Sequence, residues 1–163
     1  MYDSTKDALL HINKLQEIFN EVVIPELVSR ANEHDKSKLD EPEKSTYDKY
    51  IPMLKEAKYG SDEYYKIKDE MAKTGLAHHY QANRHHPEHY ENGVKDMTLF
   101  DVIEMMIDWY TASLRSDSGF EKGFQTNVDR YGISEELSGI MLNTYNTYLK
   151  DKTEDFKTDM PKN

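Results

Sequence analysis

The segment from Thr98 to Arg115 constrains the fold most, because it is the most apolar stretch of the sequence and its pattern is helical. Thr98 and Asp101 have the spacing of a capping box, which predicts that a helix begins here. At 100° per residue, the polar side chains of this helix fall within an arc of about 80°, and most of the remaining circumference is apolar. These polar residues are Asp101, Glu104, Asp108, Thr111 and Arg115. Such a helix either has one narrow strip in water or is buried with its carboxylates facing an internal site.

The second alternative requires a cation. Burying three carboxylates costs several kcal/mol each unless positive charges meet them. Lys and Arg supply little charge in this segment. In this alternative, a metal ion is the natural partner of the carboxylates of Asp101, Glu104 and Asp108.

Apolar residues recur at helical spacing along nearly the whole chain, and no convincing strand pattern occurs. Ser4 and Asp7 suggest a capping box for the first helix, and Pro25 suits the first turn of the second. Further helices are expected at 4–22, from Pro25 toward His34, at 47–54, 62–74, after Gly75, at 124–131 and at 134–150. The predicted fold is an all-α, single-domain bundle of six or seven helices over residues 1–150, followed by a frayed tail at 151–163.

Charge and composition exclude several functional classes. The chain has 31 acidic and 21 basic residues, so it repels a phosphate backbone and is not expected to bind nucleic acid non-specifically. The net negative charge of the chain does not exclude a small anionic substrate, because the positive charge of a bound metal ion outweighs it locally. No apolar run approaches 18 residues, the N-terminus lacks signal-peptide order, and cysteine is absent, so the expected location is the cytoplasm. The apolar helix at 99–114 could also serve a homo-oligomer.

An adjacent histidine and aspartate, His34-Asp35, form the second pattern that indicates metal chemistry. On a helix the two side chains project about 100° apart, so both reach one cation only if it lies between them. An imidazole with a carboxylate suits Mn, Fe, Co, Ni or Zn better than Mg. Lys38 follows three residues later and either holds a phosphoryl oxygen beside the metal or is a solvated turn residue.

Histidines concentrate between His78 and His89, a segment that holds five of the seven in the chain. If the segment is helical, His79 and His86 share a face, and His78 and His85 form the neighbouring pair. Histidine is a common transition-metal ligand and a general acid or base near neutral pH. The sequence predicts a function for at least one of these histidines and leaves open which of them are ligands.

The order of these residues resembles that of the HD-domain superfamily of metal-dependent phosphohydrolases. The resemblance implies an HD-domain-like arrangement of the helices in residues 1–150. It also implies a primary metal held by His11, His34, Asp35 and Asp108, with His79 and His86 as candidates for a second metal. Taken alone, His11 would be interpreted as a core residue of an amphipathic helix with its hydrogen bonds satisfied, rather than as a metal ligand.

The local match is to the HD-GYP branch of that superfamily. His34-Asp35-Lys36-Ser37-Lys38 is similar to its His-Asp-x-Gly-Lys element, and His85-His86-Pro87-Glu88 is similar to its His-His-Glu element with one inserted proline. Asp108-Trp109-Tyr110-Thr111-Ala112, with Arg115 following, is similar to its Asp-x-x-Asp-Ala helix. Ser37 is found where that branch has the glycine, Thr111 where it has the second aspartate, and no Gly-Tyr-Pro element follows. The resemblance therefore does not imply that this chain hydrolyses cyclic dinucleotides.

Most of the chain also resembles an uncharacterised family of small bacterial and phage proteins. The shared motifs are His-Asp-x-Ser-Lys, Asn-x-His-His-Pro-Glu-His from Asn83 to His89, and Glu-Met-x-x-Asp-Trp from Glu104 to Trp109. This resemblance implies no activity.

The predicted function is hydrolysis of a phosphoester or phosphoanhydride bond of a nucleotide, with one or two divalent transition-metal ions activating water. In this interpretation Lys38 neutralises a phosphoryl oxygen, Arg115 clamps another, and Glu104 orients the water or accepts its proton. Two alternatives stay open. One is a non-haem di-iron oxygenase of HD type, and the other is a non-catalytic protein that keeps the metal as a structural staple and sequesters a nucleotide or a partner helix.

Overall fold

The structure is a computed structural model that describes residues 3–57, 61–115 and 119–157. Every regular element in these ranges is helical, which confirms the all-α class. The α-helical segments are α1 Thr5–Ile18, α2 Ile24–Glu33, α3 Glu43–Glu56, α4 Asp62–Ala72, α5 Gly75–Ala82, α6 Leu99–Ser113, α7 Gly119–Tyr131, α8 Glu135–Tyr148 and α9 Thr153–Lys157. The chain divides into two compact units, Met1–Lys36 and Ser37–Asn163.

The first unit is built on one continuous helix. A π-helical turn, Phe19–Val23, joins α1 to α2, and the backbone stays in the right-handed α region at Ile18, Val23 and Ile24. The predicted new helix near Pro25 is therefore the second half of an existing one. The wider π-turn just before Pro25 accommodates a residue that has no N–H to donate. We call residues 5–33 the N-terminal helix.

Both ends of the N-terminal helix differ from a simple cap. The side chain of Ser4 makes no capping bond, so the predicted box is wrong here; instead the backbone N–H of Thr5 donates to Asp3 Oδ1 at 3.0 Å. At the other end, His34 leaves the helix with ψ 125°, and Asp35 has φ 57°. Aspartate is among the few non-glycine residues that tolerate this left-handed conformation.

The core of the second unit forms around α6. The predicted capping box is confirmed: Thr98 Oγ1 accepts from the Asp101 N–H at 3.3 Å, and Asp101 Oδ2 accepts from the Thr98 N–H at 2.7 Å. The apolar side of α6 packs with α7 and α8. The buried side chains are Val102, Met105, Met106, Tyr110, Leu114, Phe120, Phe124, Ile133, Met141 and Tyr145.

A close approach between α3 and α5 shapes the other part of this unit. A Cβ added to Gly75 would lie 2.6 Å from Thr46 Cβ, so only glycine allows the first turn of α5 to contact α3 here. Pro52 lies within α3 and does not break it, contrary to what its position suggests. The contact at Gly75 fixes α5, which carries His78 and His79, against the start of α3.

The end of the chain is ordered further than predicted. A 3-10 turn, Lys150–Lys152, leads into α9. The Tyr110 hydroxyl contacts Thr153 Oγ1 at 3.4 Å, and the Phe156 ring packs edge-on to Tyr110. Residues 151–157 are thus tied to the core rather than frayed, and the remainder of the predicted tail lies outside the described residues. No helix in the described ranges combines the length and the apolar character needed to cross a bilayer.

Candidate metal centre

Three imidazoles come together where α5 ends. His79 lies on α5, and His85 and His86 follow in the loop before the 3-10 turn Pro87–His89. One ring nitrogen from each lies within 4.8 Å of the others, and the two Nε2 atoms of His79 and His86 are 2.8 Å apart. His79 and His85 are buried, and His86 is half-buried. We call these three residues the histidine cluster.

A fully buried carboxylate supports the cluster from α3. Glu43 has no exposed surface, and its two oxygens accept from His79 Nδ1 at 2.9 Å and from His78 Nδ1 at 2.7 Å. An ionised carboxylate only accepts, so the proton of each bond resides on Nδ1. His79 Nε2 is then the nitrogen that keeps its lone pair. A carboxylate behind a histidine is the usual arrangement for orienting a metal ligand.

The same pairing recurs at a second histidine. Glu104 on α6 lies 3.2 Å from His85 Nδ1, measured to Oε1. The acidic strip of α6 thus meets a buried imidazole here, which supports the interpretation in which its carboxylates face inward. Further along α6, Asp108 is half-buried, Thr111 is exposed, and Arg115 is exposed just beyond the helix.

Asp101, the first member of the strip, has a structural role. It is fully buried, closes the capping box, and forms an ion pair with Arg84 at 3.4 Å. Arg84 immediately precedes the two loop histidines, so this pair ties their loop to the start of α6.

The motif residues Ser37 and Lys38 are positioned against the histidine cluster. The Asn83 side-chain amide donates to Ser37 Oγ at 2.7 Å and to the His79 carbonyl at 2.8 Å. Lys38 Nζ lies over the Tyr47 ring at 5.6 Å from its centroid, and that ring meets His79 edge-on at 6.2 Å. Asn83 thus connects Ser37 to the end of α5 at His79.

The loop histidines are also held from α7. Glu88 accepts from the Tyr131 hydroxyl and pairs with Arg130, each at 2.9 Å. Burial raises the pKa of Tyr131, and the negative charge of Glu88 raises it further, so the hydroxyl stays a donor. Trp109 stacks on the same tyrosine ring at 6.0 Å. Trp109 is therefore part of the packing around Tyr131.

His34 and Asp35 belong to the N-terminal unit. Both are half-buried, and His34 Nε2 lies 3.5 Å from Asp35 Oδ2. His11 is exposed on α1. Because the N-terminal helix is continuous and rises about 1.5 Å per residue, His11 and His34 are roughly 35 Å apart along its axis. One ion does not span that distance, which corrects the prediction that these two histidines share a primary metal.

Glu43 is the main residue of the candidate site that the sequence does not predict. Its local sequence, Glu41-Pro42-Glu43-Lys44, is that of a solvated turn, and no spacing rule links it to histidines 35 residues later. Asn83 carries a weak signal, because it lies midway between His79 and His86 in the predicted helix.

A family model described as "Family of unknown function (DUF5662)" matches residues 1–156. The chain belongs to this family. The matched range includes the N-terminal helix, Glu43 and the whole histidine cluster. No curated protein matches the chain, and no solved structure does either.

Proposed function

We propose that this member of the family is a metal-dependent phosphohydrolase acting on a nucleotide, with the histidine cluster as part of its metal centre. The observation that carries the proposal is the convergence of three ring nitrogens within 4.8 Å, two of the rings having a carboxylate at Nδ1. Imidazoles packed this closely in a protein interior are what a transition metal requires.

The donor set discriminates between metals. Three imidazole nitrogens with nearby carboxylates suit Mn, Fe, Co, Ni or Zn, whereas Mg prefers oxygen ligands and retained water. His79, His85 and His86 would hold the ion. His34, Asp35 and Asp108 stay predicted ligands on the order of the sequence motifs.

When bound, such a cation supplies Lewis acidity and lowers the pKa of a coordinated water toward neutrality. The chain's own residues supply the rest. Glu43 and Glu104 hold the protons of His79 and His85 at Nδ1, which orients both rings. Glu104 is accordingly proposed to act through His85.

Lys38 is the residue that we assign to the substrate. Its ammonium is held over Tyr47, one ring away from His79, where a compact positive charge neutralises a phosphoryl oxygen. Arg115 stays a predicted second clamp. The excess of acidic residues agrees with a small nucleotide rather than a nucleic acid, and a cytoplasmic location is part of the proposal.

The test begins with elemental analysis of the purified full chain, followed by a metal-reconstituted screen of nucleotides for phosphate release. His86→Ala should lose the metal, whereas His89→Ala, an exposed histidine three residues later, should keep it. His34→Ala and Asp108→Ala test the sequence-predicted ligands by the same readout.

Lys38→Ala should keep the metal and lose turnover by about 100-fold, the usual effect of removing one electrostatic donor. Full activity of this variant would show that the role assigned to Lys38 is wrong. Tight nucleotide binding without turnover, across several metals, would favour a non-catalytic binding protein. An iron-to-iron charge-transfer band without phosphate release would favour a di-iron oxygenase.

A further inference from the structure

The N-terminal helix leaves its apolar side chains uncovered. None of its residues is buried. Nine large apolar residues along it are each between 47% and 59% exposed: Leu9, Leu10, Ile12, Leu15, Ile18, Phe19, Val22, Ile24 and Val28. Those that share one side of the helix form an apolar surface, and an exposed apolar surface marks an interaction site.

Part of this surface has the spacing of a coiled-coil seam. Ala8, Ile12, Leu15, Phe19 and Val22 follow one another at steps of four, three, four and three residues. The next apolar residue on the same side is Leu27, five residues after Val22. The π-turn Phe19–Val23 takes up the additional residue, so that Leu27 stays in line. We call these six residues the apolar stripe.

The positions that flank the stripe carry no formal charge. Between residues 8 and 23 they are Leu9, His11, Gln16, Ile18 and Val23. The charged residues of this part of the helix, Lys14, Glu17 and Glu21, lie on the remaining side, and Lys14 pairs with Glu17. Two chains of net charge −10 could therefore approach along the stripe without placing like charges opposite each other.

We infer that the partner of the apolar stripe is a second copy of this chain, paired along the N-terminal helix. Four members of the stripe, Ile12, Leu15, Phe19 and Val22, are each about half exposed, and the flanking Leu9 and Ile18 extend the apolar surface that a second copy would cover. A heptad seam is self-complementary, as a two-fold interface requires. The inference is independent of the proposed function.

Light scattering during size-exclusion chromatography of the full chain tests it. The wild-type protein should have twice the 19.2 kDa chain mass at tens of micromolar. Leu15→Lys, in the middle of the stripe, should give the single-chain mass with unchanged helical circular dichroism. Leu10→Lys is the matched control, because Leu10 lies on the same helix and is somewhat more exposed than Leu15, at 59% against 48%, but is outside the stripe. This variant should stay dimeric.

A cross-linking experiment covers the case in which Leu15→Lys fails to fold. The chain contains no cysteine, so a single introduced one reacts only with its counterpart in another copy. Phe19→Cys should cross-link efficiently with a short bis-maleimide, and Glu17→Cys should not. A monomeric wild-type chain, a dimeric Leu15→Lys variant, or equal cross-linking at both positions would overturn the inference.

Discussion

The two parts of the C-terminal unit bury opposite kinds of side chain. Around α6, α7 and α8 the interior is aromatic rings, methionines and branched aliphatic residues. Around α3, α5 and the following loop, the buried residues include Glu43, Thr46, His79, Asn83 and His85. Burial of polar groups contributes little net stability even when all are hydrogen-bonded. The comparison indicates that the first region contributes most of the stability, and that the second region, which holds the candidate metal centre, contributes less.

The largest effect is expected in the apolar region. Phe120 is buried against the rings of Phe124 and Tyr145, so Phe120→Ala should lower the free energy of unfolding by about 3–5 kcal/mol. Urea unfolding measures this. The folded fraction should bind metal with unchanged affinity. A loss of metal affinity alongside the loss of stability would contradict the separation of the two regions.

The second effect separates metal binding from stability. Glu43→Gln keeps the shape of the side chain but replaces a carboxylate, which only accepts hydrogen bonds, with an amide, which can also donate them. The proton of His79 is then no longer fixed at Nδ1. Metal affinity should fall by about 10- to 100-fold, as for other residues behind metal-binding histidines. Calorimetric titration measures the affinity. Glu41→Gln, an exposed neighbour, should bind metal like the wild type, and so would Glu43→Gln if its role were only structural.

The third effect concerns the contact that joins α5 to α3. Gly75→Ala places a methyl group against Thr46 and should cost about 1–3 kcal/mol by overpacking. Gly139→Ala on α8 is the matched control, because nothing lies within 4 Å of its added Cβ. That change should stabilise the protein by about 0.5–1 kcal/mol. Thermal unfolding that moves in the same direction for both variants would contradict the packing argument.

The smallest effect tests the tie between α7 and the histidine loop. Glu88→Gln retains an acceptor for the Tyr131 hydroxyl but loses the charge opposite the half-exposed Arg130. We expect a loss of about 1 kcal/mol or less. Trp109, the only tryptophan, stacks on Tyr131 and reports the change by fluorescence. An unaltered emission spectrum together with an unaltered free energy of unfolding would show that this tie is unimportant.

Local rules explain which elements could be predicted from the sequence. The capping box at Thr98 and the helix that follows depend on neighbours within one turn, and both were predicted correctly. The continuous N-terminal helix was not, because Pro25 normally marks a helix start and a π-turn leaves no clear signature in the sequence. The order of the last residues depends on Tyr110, which lies 43 positions from Thr153.

The candidate site divides in the same way. His79 and His86 could be selected as candidates because histidines cluster in the sequence and suit a metal, whereas His85 stayed one of several alternatives. Glu43 could not, because only the packing of α3 against α5 buries it. The prediction that His11 and His34 bind one metal ion is wrong for a related reason. The order of the motifs does not tell whether the chain between them is a straight helix or folds back.

The central claim is that the histidine cluster binds a divalent transition metal, and a Co²⁺ titration of the chelator-treated full chain tests it most directly. Visible absorption of the bound ion and thermal unfolding are followed together. Saturable binding should stabilise the wild-type protein by about 2.7 kcal/mol at a free Co²⁺ concentration 100 times Kd, and His86→Ala should show neither the absorption nor the stabilisation. Identical responses from the wild type and His86→Ala would contradict the account.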